Sequence, residues 1–136
     1  MYKKLSTIQK RNNLNDVYVG ETVGHGNGRH KYVIVPTGEP RESIEIADDA
    51  PDAHLCAALC EVQFQNGARK DENATHGVLD CDLLEIVRDR LAHFQAGEFA
   101  TRENALALTH VEQALMWLNK RVEDRAERQV LGTYNK

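Results

Sequence analysis

The sequence predicts an α+β protein, a small N-terminal antiparallel β-sheet followed by a C-terminal helical hairpin with one long helix. Two observations carry this. Aromatic and β-branched runs separated by glycine and asparagine fill residues 5–46, and helical periodicity with its cap residues is concentrated after residue 80.

Val17-Tyr18-Val19 and Tyr32-Val33-Ile34-Val35 flank Gly24-His25-Gly26-Asn27-Gly28, which reads as two strands and a hairpin turn. Ser43 to Ile46 is a further short strand candidate. Two or three strands alone are marginal in water, so the sheet needs something to pack on. After acidic Asp48, Asp49 and Asp52 around Pro51 comes a short helix candidate, Ala53 to Cys60, and then an extension through Val62-Gln63-Phe64. Gln65 to Gly77 is a polar loop without apolar periodicity, and loops of this length inside a domain are more often functional than idle.

For the first helix, about residues 81–96, Asp80 is the expected N-cap. Leu84, Val87, Leu91 and Phe94 form its apolar stripe, and Gly97 stands where a left-handed C-terminal cap belongs. Thr101 caps the second helix, whose seam Leu108, Val111, Leu115, Leu118 and Val122 alternates spacings of three and four out to about Val130. A helix of that length spans roughly 43 Å, nearly twice its partner, so Val122 and Val130 are expected to project beyond the hairpin and to be covered by another subunit. The expected division is residues 1–60, a β-rich segment with its short helix, and residues 61–136, a ligand-binding loop with the hairpin, folding as one cooperative unit.

Composition sets the outer bounds. No apolar run approaches the roughly 18 residues of a membrane span, and Lys3, Lys4 and Lys10 are not followed by the apolar core of a secretory signal, so a cytoplasmic protein is expected. A net charge of −4 argues against binding to DNA or RNA polymers, where a basic face supplies most of the affinity. Any anionic ligand must then be held by a local pocket. Cys56, Cys60 and Cys81 form an odd set, expected as reduced thiols. With His54 they suggest zinc only on paper, because no second Cys or His knuckle follows the Cys-x3-Cys. No metal, cofactor or catalytic residue is expected, since neither a nucleophile elbow nor a metal-protease histidine spacing is present.

Arg121, Arg125 and Arg128, at spacings of four and three, share one face near the end of the second helix. Guanidinium forks suit phosphate, yet Glu123, Asp124 and Glu127 are close enough to make this a solvated, neutralised face, and periodicity alone favours that plainer reading. Phe64 divides in the same way between a core aromatic and a base-stacking platform beside a polar loop.

Beyond the residue chemistry there is a resemblance. Phe64-Gln65-Asn66-Gly67, His76-Gly77, Leu83-Leu84, Ile86-Val87, Arg90-Leu91 and Phe94-Gln95-Ala96-Gly97 resemble, in order and spacing, the hairpin shared by phage anti-CBASS and anti-Thoeris sponge proteins. So do Glu103-Asn104-Ala105, Ala114-Leu115-Met116-Trp117-Leu118, Lys120-Arg121, Asp124-Arg125 and Gly132-Thr133. The β-rich segment ahead of the hairpin is similar to that of the anti-Thoeris type 1 sponges.

The resemblance implies a homo-oligomer, commonly a hexamer although a dimer is also open. It would act in the host cytoplasm, binding the cyclic ADP-ribose isomers of Thoeris signalling and, in many members, CBASS cyclic di- and trinucleotides at separate sites. Signals are sequestered without cleavage, an immune evasion by mass action. It further implies that Phe64 stacks on adenine and that Arg121 and Arg125 take the phosphates, with Gln65, Asn66, Asn73, His76, Arg128 and Thr133 as further ligand-binding candidates. This reverses the plainer reading of the arginines. The sequence departs from the pattern at His76, where Asn is usual, and at Gln129 and Leu131, where Gly and Glu are usual. The tail departures bear on cyclic-trinucleotide binding more than on cyclic ADP-ribose. Two other readings stay open: a cyclic-nucleotide-degrading enzyme, and an oligomeric structural adaptor.

Overall fold

A computed structural model of the chain describes residues 2–20, 22–38, 58–129 and 131–134. It divides into two compact units, Met1–Gly67 with Ala74–Gly77, and Ala68–Asn73 with Val78–Lys136.

The first unit is an antiparallel sheet of β1 (Tyr2–Lys4), β2 (Asn15–Gly20), β3 (Lys31–Pro36) and β4 (Cys60–Gln63), in the order β1-β2-β3-β4. The two runs read from the sequence pair as β2 and β3, with Val17 opposite Ile34 and Val19 opposite Tyr32. Alternation along the strands puts Val33 and Val35 on one face, packed with Tyr2, Tyr18 and Ala58, and Val19 on the other. All three valines are at most 1% exposed. Each contributes about 1.5–3 kcal/mol by leaving water. Asp16 is buried on the Val35 face, where its carboxylate meets Lys4 Nζ at 3.3 Å and Asn13 Nδ2 at 3.1 Å. A buried charge needs such partners.

The glycine-rich segment is the β2–β3 turn. Gly24 N donates to Gly28 O at 2.9 Å around a short 3-10 turn at His25–Asn27. Gly26 (φ 69°) and Asn27 (φ 61°) take left-handed backbone there, which is why those residue types serve. The described end of the helix expected at Ala53–Cys60 is not helical. Leu59 N donates to Ile34 O at 2.8 Å and Cys60 opens β4, because ladder pairing with β3 satisfies this backbone first. Residues 53–57, with His54 and Cys56, and the strand expected at Ser43–Ile46 lie outside the described residues.

The second unit contains α1 (Asp80–Gln95) and α2 (Arg102–Glu127). Asp80 is the first helical residue and not the N-cap; the cap is Leu79, whose N–H donates to Asp82 Oδ2 at 2.9 Å. The carboxylate that satisfies an open helical donor therefore comes from inside the first turn. Gly97 is not left-handed: α1 ends at Ala96 (φ −84°). The connection is closed instead by the Gln95 amide, which accepts from Thr101 N and donates to Thr101 O, both at 3.0 Å. Thr101 caps α2 as expected, its Oγ1 accepting from Asn104 N at 3.0 Å.

Leu84, Leu91 and Phe94 of α1 are half-buried, as are Leu108, Val111, Leu115 and Leu118 of α2. Arg88 ties the helices together, its guanidinium 3.2 Å from Glu112 and 3.3 Å from Glu85. Those two carboxylates, Glu112 first, raise its pKa further above the ordinary arginine value. Ile86, Phe99, Met116 and Trp117 are each about two-thirds or more exposed. Among the described residues of the two helices only Arg125 is buried, so the pair shares a seam without enclosing a core. The helix breaks earlier than expected: after Arg128, Gln129 takes φ 58°.

Candidate functional site

In the sheet unit the candidate residues gather where β4 leaves the sheet. Phe64 N donates to His30 O at 2.7 Å, which extends the pairing by one residue. The half-buried Phe64 ring meets Tyr32 edge to face, with centroids 5.6 Å apart and planes at 88°. That contact fixes the plane of the phenyl ring. The chain then returns alongside itself, Asn66 and Thr75 exchanging both backbone hydrogen bonds at 2.9 Å.

Two amides lock this return. Gln65 Oε1 accepts from Gly77 N at 3.0 Å while its Nε2 donates to Gly67 O at 3.2 Å. Asn66 Oδ1 accepts from His25 N at 3.1 Å and so ties the glycine-rich turn to the loop. Gly77 is demanded by close approach: a Cβ there would lie 2.7 Å from the Phe64 carbonyl oxygen. The His76 side chain beside it is exposed. Gln65 and Asn66 thus hold the segment that carries Phe64, and a Gln amide retains capacity for one further bond at each end.

In the hairpin unit Arg121 and Arg125 lie one turn apart near the end of α2, but their surroundings differ. Arg121 is exposed and makes no hydrogen bond or ion pair with the described residues. Its nearby carboxylate Asp124 is 3.4 Å from Lys120 instead. Arg121 lines a groove of about 580 Å³ between the start of α1, at Leu79–Asp82, and the Leu115, Leu118 and Val122 side of α2. Arg125, 9% exposed, donates from Nη2 to Thr133 O at 3.1 Å. Arg128 is the exposed C-cap of α2. Asn73 is exposed, with its backbone N–H on Asp71 Oδ1 at 2.9 Å. The arginine spacing was readable in the sequence; the burial of one and the exposure of the other was not.

A guanidinium pair on one helix face and an aromatic ring held at fixed tilt are groups that bind phosphate and base, respectively. Comparison with known proteins bears on what they serve. A family model described as "Acb2/Tad1, hairpin domain" matches residues 57–123. A protein of Bacillus phage SBSphiJ7 named "Thoeris anti-defense 1" is 39% identical over 117 residues, covering 81% of this chain and 82% of that protein. The chain belongs to the Acb2/Tad1 hairpin family.

The matched hairpin domain takes in β4, Phe64 and its loop, α1 and α2 as far as Glu123. Arg121 falls inside it, whereas Arg125, Arg128 and Thr133 lie beyond it. Gln129, after α2, adopts the left-handed backbone that glycine takes without strain, at a cost of about 1 kcal/mol. The residues that hold the tail, Asp71, Gly132 and Tyr134, were not among the candidates, and nothing periodic in the sequence points to them.

Proposed function

We propose that this phage anti-defence protein captures cyclic nucleotide immune signals, foremost cyclic ADP-ribose isomers, and sequesters them without cleavage. The observation that carries the reading is the arginine pair of α2, one guanidinium buried and oriented, the other exposed and without a carboxylate partner among the described residues. Membership of a family that includes a protein named "Thoeris anti-defense 1" supports it. Phe64 supplies the face for adenine, with Gln65 and Asn66 setting its loop, and Arg121 and Arg125 take the phosphates. His76 and Asn73, exposed on their loop, add polar contacts; Arg128 and Thr133 serve cyclic di- or trinucleotides. The site of action is the host cytoplasm.

Nanomolar capture corresponds to about −12 kcal/mol, within reach of several charge-assisted bonds and one stacked base on a preorganised surface. To test it, purified protein is mixed with cyclic ADP-ribose isomers and cyclic oligonucleotides, freed of unbound nucleotide, and denatured by heat. Release of an intact signal is the expected result. A cleaved product means an enzyme, and no nucleotide at all means a structural adaptor.

The protein is proposed to be a homo-oligomer, a hexamer or a dimer. Met116 and Trp117 on α2, Ile86 on α1 and Phe99 between the helices expose large apolar side chains. Two-helix hairpins bury such surface against copies of themselves. Light scattering is expected to return a multiple of the 15.3 kDa chain mass at micromolar concentration, and a monomer mass there would refute the assembly.

A further inference from the structure

Residues 131–134, after α2, are fastened within the hairpin unit through side chains that no ligand role accounts for. Tyr134 Oη donates to Asp71 Oδ2 at 2.8 Å, across 63 residues of sequence. Asp71 is itself set in a tight turn, its N–H on Ala68 O at 3.0 Å and its Oδ1 accepting from Asn73 N at 2.9 Å. Gly132 turns the tail with φ 78°, and a Cβ there would already stand 3.3 Å from Lys70 Cε. Between Gly132 and Tyr134 lies Thr133, whose carbonyl receives Arg125 Nη2 at 3.1 Å.

We infer that Tyr134 and Asp71 form a latch that positions Arg125 for anion capture. The inference rests on the reading of Arg125 as a phosphate ligand. Arginine has a long flexible stem and a rigid planar fork, so binding through it carries the entropic cost of ordering that stem. Here the latch holds the tail, the tail holds the Thr133 carbonyl, and that carbonyl fixes the plane of the guanidinium before any ligand arrives. The Thr133 carbonyl accepts from one Nη of the fork and so biases its orientation. Arg121, exposed and without such a contact, is ordered by the ligand instead. The two arginines divide the work: one is preset and the other closes.

The test compares the full-length wild type with Tyr134→Phe, Arg125→Ala and the double variant. Calorimetric titration uses a cyclic ADP-ribose isomer, and amide hydrogen exchange follows the peptide containing residues 131–134 in the ligand-free protein. Tyr134→Phe keeps the ring and removes only the hydroxyl. It is expected to weaken binding about fivefold to tenfold, to speed exchange in the tail, and to leave the melting temperature unchanged within about 2 °C, because the bond it breaks is exposed. In the Arg125→Ala background the same substitution is expected to change affinity less than twofold, since the residue it acts through is gone. Wild-type affinity in Tyr134→Phe, or an equal loss in both backgrounds, overturns the latch. If the wild type captures no signal, the sequestration reading fails by itself. The latch is then decided by hydrogen exchange, where an unaltered tail in Tyr134→Phe overturns it.

Discussion

Replacing Arg121 and Arg125 together by alanine is expected to lower affinity for the captured signal by about two to four powers of ten. Charge-assisted hydrogen bonds to a phosphate contribute about 1.5–3 kcal/mol each, and every 1.4 kcal/mol is tenfold in affinity. The single variants separate the causes. Arg121 makes no hydrogen bond or ion pair with the described residues, so Arg121→Ala removes affinity while leaving the melt unchanged. Arg125→Ala also releases the Thr133 carbonyl, so a lower melting temperature accompanies its loss of binding. Titration calorimetry beside thermal melts distinguishes them. If the double variant binds normally and only Arg128 or Thr133 substitutions matter, the phosphate site is elsewhere on the chain.

Phe64→Ala is expected to weaken capture about tenfold to a hundredfold by a different route. Stacking of a base on an aromatic ring is worth about 1–3 kcal/mol and involves no net charge, so the loss should be nearly the same at 50 mM and 500 mM salt. The arginine variants, by contrast, should differ from wild type less at high salt. Phe64 also rests on Tyr32, so part of any loss could be packing. Phe64→Leu keeps apolar volume but offers no aromatic face, and it should lose nearly as much affinity as alanine with a smaller change in melting temperature. A leucine variant that binds like the wild type would assign Phe64 to the core.

What the sequence determined by itself was local. Val17-Tyr18-Val19 and Tyr32 to Val35 pair as read because a strand's preference is set by its own β-branched and aromatic residues, and Gly24 to Gly28 turns because it contains residues that tolerate left-handed backbone. Thr101 caps α2, and the stripe from Leu108 to Leu118 faces α1, because both follow from a spacing of three or four residues. The candidate arginines were found by the same periodicity, with the family resemblance deciding between phosphate binding and a solvated face.

The tertiary structure decided what depends on distant partners. Cys60 joins a strand because β3 offers unpaired backbone, and α1 does without a glycine cap because Gln95 reaches Thr101. The Gln65 clamp on Gly77 spans 12 residues, and the Tyr134 hydroxyl finds Asp71 across 63. Such contacts join a side chain to one atom elsewhere in the chain and leave no repeat in the sequence. For that reason Arg121 and Arg125 look alike in sequence, and only the tertiary structure leaves one of them buried and bonded to the Thr133 carbonyl while the other stays exposed.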